Sequence, residues 1–100
     1  MKIEAGKVHT LKLNNADEIV TKVVEDHDDY LLVTQPLSAV PTEKGVQLIF
    51  TVFTADPKEN IRINKSAITM VCTTAEQVSD HYTEATTGIK AVRNSKILMG

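Results

Sequence analysis

Few residues in this chain have the type and spacing to do chemistry. His9, His27 and His81 are scattered along 100 residues, and only His27 sits among other candidate ligands, in Asp26-His27-Asp28-Asp29. Carboxylates around an imidazole can bind a cation. This tetrapeptide lacks the ordered ligand spacing of a calcium loop, so it reads as a solvated turn. A second group is Arg62 and Lys65, a planar donor fork and a point charge three residues apart. They can neutralise phosphate or stack on a base, or they can simply face solvent from a strand. Lys90, Arg93 and Lys96 form a third group, with no acid among them. A solvated face is the simplest reading, and a secondary nucleic-acid arm is the other. Tyr30 reads as core or as a stacking platform. Cys72, the single cysteine, ends an apolar run and reads as a buried structural thiol. No Ser/His/Asp arrangement, zinc spacing, phosphate loop or matched carboxylate pair stands out, so no enzyme, cofactor or metal is expected.

The bulk numbers bound the scaffold that must position these residues. One hundred residues make one domain with a single modest core. A hydrophobic fraction of 42% is that of an ordinary folded chain. The net charge of -2 means that any nucleic-acid contact must use a local patch. One cysteine excludes an internal disulfide and fits a reducing compartment. No apolar run approaches the roughly 20 residues of a membrane span, and Met-Lys-Ile-Glu-Ala-Gly-Lys-Val lacks the apolar core of a signal peptide. The expected location is the cytoplasm, with no membrane contact.

Period-2 alternation dominates the chain up to Cys72. Val8–Leu13 reads as a first strand, followed by a tight Asn14-Asn15-Ala16-Asp17 turn. Glu18–Glu25 is rich in β-branched residues and reads as a second strand. Tyr30–Thr34 is a third, able to extend toward Val40, before a loop with its tip at Pro41–Gly45. Residues 46–54 read as a fourth strand, with Val46, Leu48, Phe50 and Val52 on one face and Ile49 and Phe53 on the other. After a turn at Asp56-Pro57, residues 61–72 read as a fifth. There the apolar parity switches from Ile61 and Ile63 to Ile68, Met70 and Cys72, which demands a bend near Lys65-Ser66. Thr73 and Thr74 are N-cap candidates, and Val78, Tyr82 and Ala85 at helical spacing predict a helix over 75–86 that packs on the sheet. Residues 89–100 are left as either an extra strand or a basic arm. The expected architecture is mostly β: a small bent five-stranded antiparallel barrel over residues 1–74, with a C-terminal helix and tail over 75–100.

This layout resembles the Sm-like (LSm/Hfq-type) family, whose barrels are SH3-like. Leu11-Lys-Leu-Asn-Asn15-Ala-Asp-Glu-Ile, running on to Asp26-His-Asp-Asp-Tyr-Leu-Leu-Val33, is similar to the first signature of that family in length and pattern. Ile61-Arg62-Ile63-Asn64 is similar to the second apart from its glycine, and Lys65-Ser66-Ala67-Ile68 to the Lys-His-Ala-Ile of the Hfq type. Ala16 stands where the family carries a turn glycine, and the family's base-pocket asparagine has no clear counterpart. The resemblance implies a homo-oligomeric ring of roughly five to seven subunits. It implies single-stranded RNA as partner, contacted by Asp28, Asp29, Tyr30, Arg62, Asn64 and Lys65. The alternative is a structural or adaptor ring on the same fold with no RNA role. Charge distribution points that way, since residues 1–50 hold five Lys against eight Asp or Glu.

Overall fold

A computed structural model describes residues 3–87. The chain runs β1 (Val8–Leu13), β2 (Glu18–Asp26), β3 (Tyr30–Thr42), β4 (Gly45–Phe50), β5 (Ile61–Asn64), a single 3-10 turn at Lys65–Ala67, β6 (Ile68–Thr73) and α1 (Glu76–Thr87). All pairings are antiparallel, in the order β4-β3-β2-β1-β6, with β5 also on β3. This is the expected mostly-β architecture, a bent antiparallel barrel-like sheet with a C-terminal helix, and it is consistent with a small Sm-like (SH3-like) fold. The long β3 carries β5 along Tyr30–Val33 and β4 along Leu37–Thr42. The chain then crosses from β3 to β1 through the 3-10 turn, which brings the two ends of the bent sheet together.

The parity switch read at Lys65-Ser66 is this turn, and it splits the fifth expected strand into β5 and β6. The expected face of β6 is corrected. Leu13 pairs with Ile68 but Lys12 pairs with Met70, so Thr69 is an extra residue in the ladder. That bulge puts Ile68 and Val71 against the core and turns Met70 and Cys72 outward. Cys72 is therefore an exposed thiol, not a buried one. Asn14 fastens the corner. Its N–H donates to Ala67 O at 2.8 Å, its Nδ2 donates to Ser66 O at 2.7 Å, and its Oδ1 accepts from Thr69 Oγ1 at 2.7 Å.

A second bulge divides the apolar residues into two clusters. Pro36 has no N–H to give to a ladder, and Gln35 before it has φ +49. The register slips by one residue between Val20↔Leu37 and Lys22↔Thr34. Upstream, Leu31 and Val33 join Leu11 and Val23 inside the barrel, with Ile61, Ile63, Ile68 and Val71 around them. Downstream, Leu37 is on the opposite face, where it meets Val20 and Tyr82 beneath α1. The Tyr82 hydroxyl fills the opened ladder: it accepts from Lys22 N–H at 3.2 Å and donates to Thr34 O at 2.8 Å. The helix thus packs through Val78 and Tyr82 as expected, but Ala85 is exposed. The fourth strand is also shorter than the expected 46–54. After Phe50 the chain leaves the sheet, and Phe53 is 82% exposed. The extra strand or basic arm expected at 89–100 lies outside the described residues.

Candidate nucleic-acid interface

The first turn of the candidate site closes when His27 N–H donates to Tyr30 O at 3.0 Å. β3 then starts at Tyr30, directly opposite Asn64 of β5, while Leu32 lies opposite Arg62. Alternation sends Leu31 inward, so Tyr30, Arg62 and Asn64 share the outer face, with Tyr30 and Arg62 as diagonal cross-strand neighbours. The Arg62 guanidinium carbon lies 4.0 Å from the centroid of the Tyr30 ring. The His27 ring stacks on the same phenol at 4.4 Å and 17° between planes. Two groups this close to one centroid need one face each, so the result is a three-layer stack of imidazole, phenol and guanidinium. A base cannot reach Tyr30 itself without displacing one of them. It can stack on the guanidinium, because Arg62 is exposed.

The remaining expected site residues have distinct parts. Lys65 donates its backbone N–H to Asp29 O at 2.9 Å, and its Nζ lies 2.6 Å from Asp26 Oδ1. The turn at 26–29 and the 3-10 turn are thereby tied together, and Lys65 is committed to that tie before any ligand arrives. Asp29 contributes a carbonyl to the tie, while its carboxylate and that of Asp28 are exposed. Asn64 is exposed and its side chain makes no capping bond to the 3-10 turn. An amide there offers both a donor and an acceptor to a base edge.

All six expected residues are therefore brought to one end of the barrel, but three neighbours were not assigned a role there from sequence. His27 is a layer of the stack, Glu25 Oε1 lies 2.7 Å from His27 Nε2, and Asp26 holds Lys65. The aromatic pairing had a sequence signal, since His27 and Tyr30 are three residues apart across a tight turn. The electrostatics are mixed: residues 25–29 carry four carboxylates, of which Asp26 pairs with Lys65 and Glu25 with His27, beside the two cations Arg62 and Lys65. Among the described residues no three His, Cys, Asp or Glu side chains converge as a metal site.

The other two histidines are elsewhere. His9 is buried, with Nδ1 3.3 Å from Lys7 O and Nε2 3.4 Å from Glu4 N. A carbonyl only accepts and an N–H only donates, so Nδ1 carries the proton in that pair. His81 is exposed on α1. No helix among the described residues is long and apolar enough to cross a membrane. No family model matches the sequence, and no curated protein matches it.

Proposed function

We propose that this chain is a non-enzymatic, ring-forming Sm-like protein that binds single-stranded RNA in the cytoplasm, as an RNA chaperone or ribonucleoprotein scaffold. The observation that carries the reading is the juxtaposition of the His27–Tyr30–Arg62 stack with Asn64 on one face at one end of the barrel. A base stacks on the outer side of the Arg62 guanidinium and Asn64 meets its edge, while a phosphate reaches Lys65 only by competing with Asp26 for its ammonium. Ring formation is supported by the two ends of the sheet. β4 is Gly-Val-Gln-Leu-Ile-Phe and β6 is Ile-Thr-Met-Val-Cys-Thr, and neither carries a charge to blunt an open edge. Pairing of β4 with β6 of the next subunit, head to tail, closes a ring of roughly five to seven copies. Repetition around the ring then multiplies a weak single-nucleotide site.

The test is a titration of oligo-U and oligo-A at two salt concentrations, on wild type and on Arg62→Ala/Lys65→Ala, with oligomeric state followed by light scattering. Binding that weakens with salt, and is lost in the double variant while the ring stays intact, is the expected outcome. Undiminished binding by the double variant removes the site from this face. A second reading, the structural or adaptor ring, is favoured by the four carboxylates of residues 25–29, one of which already holds Lys65. A ring without RNA binding at low salt selects it, and a monomer at micromolar concentration rejects both.

A further inference from the structure

We propose that the loop between β4 and β5 is a second nucleotide-binding element, in which Phe53 stacks on a base and Lys58 meets a phosphate. It rests on the RNA-binding reading and carries the path of the strand beyond the Arg62 face.

Phe53 is 82% exposed, the most open of the large apolar side chains among the described residues, and neither apolar cluster includes it. A single exposed apolar side chain is ordinary. What distinguishes this one is how it is held. Ala55 N–H donates to Val52 O at 3.4 Å, which closes a turn with Phe53 at its second position. A second turn follows, where Glu59 N–H donates to Asp56 O at 3.0 Å and Asp56 Oδ1 accepts from Lys58 N–H at 2.9 Å. Both feet of the loop are tied to β3. At the first, Thr51 N–H donates to Pro36 O at 3.0 Å, and the Thr51 and Ser38 hydroxyls lie 3.1 Å apart. At the second, Ile61 pairs with Val33. The chain thus presents an aromatic ring to solvent from a fixed place, with no core packing that requires it.

The loop leads straight into β5, and Arg62 is the second residue of that strand. Val33 and Pro36 are close along β3, so the two feet are at most roughly 10 Å apart. The backbone path from Phe53 through Thr51, Pro36 and Leu32 to Arg62 is at most roughly 30 Å. A single strand on a small β-barrel covers roughly 4 to 16 nucleotides, enough for one strand to touch both places.

The chemistry of the loop favours a base over a protein surface. Thr54, Asp56, Lys58, Glu59 and Asn60 are polar and exposed, and only Val52 adds open apolar area beside the ring. A protein partner would bury an apolar centre larger than one ring, whereas a base offers a flat π-face with a polar edge. Lys65 is held by Asp26 and Lys12 by Glu18, but Lys58 is exposed and has no ion pair among the described residues. Glu59 is exposed next to it, so the phosphate contact is a weak one.

The chain has no tryptophan, so Phe53→Trp supplies a single reporter in the loop. Oligo-U is titrated into that variant by fluorescence, and into wild type and the other variants by filter binding, with oligomeric state followed by light scattering. Stacking should quench the indole in step with wild-type binding. Loss of a base–aromatic stack lowers affinity about five- to a hundredfold. Phe53→Ala should therefore bind at least about fivefold more weakly, Phe53→Tyr should bind as wild type does, and Phe53→Leu, with bulk but no flat face, should match the alanine variant. Lys58→Ala should make the dependence of log affinity on log salt shallower by about 0.7, the share of one phosphate on a single strand. Wild-type binding with an unquenched indole and an unaffected Phe53→Ala would overturn the loop proposal while leaving the Arg62 face in place. An oligomer that dissociates in Phe53→Ala would make the ring a contact between copies, which also overturns it. No binding by wild type at low salt would remove the RNA reading itself, and the loop proposal with it.

Discussion

Inside the barrel, Leu11, Val23, Leu31 and Val33 are wholly buried and belong to strands laced by ladders on both sides. Beneath α1, Val20, Leu37 and Tyr82 are nearly as buried, yet their cover is one twelve-residue helix held by Val78, Tyr82 and a hydroxyl in a ladder gap. The first cluster depends on contacts between distant segments, so no single element can leave it without opening the sheet. The second depends on an element that is marginal as an isolated helix in water and can detach while the strands remain paired. Similar burial therefore implies different cooperativity. It also places the stacked site on the more cooperative part, because that site belongs to the barrel strands.

The sharpest way to break this comparison is to truncate one anchor in each cluster. Leu31→Ala should cost about 3 to 4 kcal/mol and lower the unfolding of strands and helix together. Tyr82→Ala should cost about 3 kcal/mol or more, but helical amides should exchange before strand amides do. The check is hydrogen exchange with thermal melts. A single common transition in both variants would mean that helix and barrel form one unit, and an unchanged melting temperature in Tyr82→Ala would mean that the helix contributes nothing.

Tyr82→Phe sharpens the same contrast by removing only the hydroxyl. The Lys22 N–H, in a part-buried bond, then lacks its acceptor, which should cost about 1 kcal/mol. Burial holds the Tyr82 hydroxyl above its ordinary value of 10.0, against the lowering effect of its hydrogen bonds to Lys22 and Thr21. A raised folded-state value means that the fold favours the protonated phenol. That stabilisation is fully present below the unfolded value and is lost as pH rises through the higher folded one. Helix content should therefore fall in the alkaline range in wild type, and this fall should be absent in Tyr82→Phe. Tyr30 is common to both proteins, so a fall of equal size in each would exclude Tyr82 as its source.

The strands, the corner at Lys65-Ser66 and the helix anchors Val78 and Tyr82 were legible because each writes a period into the sequence. Bulges do not. Thr69 gives no sign that it adds a residue to β6, so Met70 and Cys72 were assigned to the wrong face, and Pro36 marked a break without showing which face Leu37 would take. The site was legible as a set of residues but not as a set of contacts. Nothing in the spacing of Tyr30 and Arg62 shows that His27 would take one face of the ring and the guanidinium the other, because the pairing is decided by the β3–β5 register.

The smallest expected effect is in the β1–β2 turn, which both clusters share through β2. Ala16 has φ 75, a region that a Cβ makes costly and that glycine enters freely. The turn is otherwise well tied. Leu13 N–H donates to Asp17 O at 2.8 Å, Ala16 N–H donates to Leu13 O at 2.9 Å, and Asn15 Oδ1 accepts from Asp17 N–H at 3.0 Å. These bonds hold the alanine in a conformation it would not choose, and none of them uses its side chain, which is exposed. Ala16→Gly relieves the strain but loosens the unfolded chain, so the two effects partly offset each other. The net expectation is a gain of about 0.5 to 1 kcal/mol, read as a higher denaturant midpoint with an unchanged slope. Because β1 and β2 support the barrel directly, strands and helix should both gain. A gain confined to the helix, or a loss, would contradict the assignment of strain to this turn.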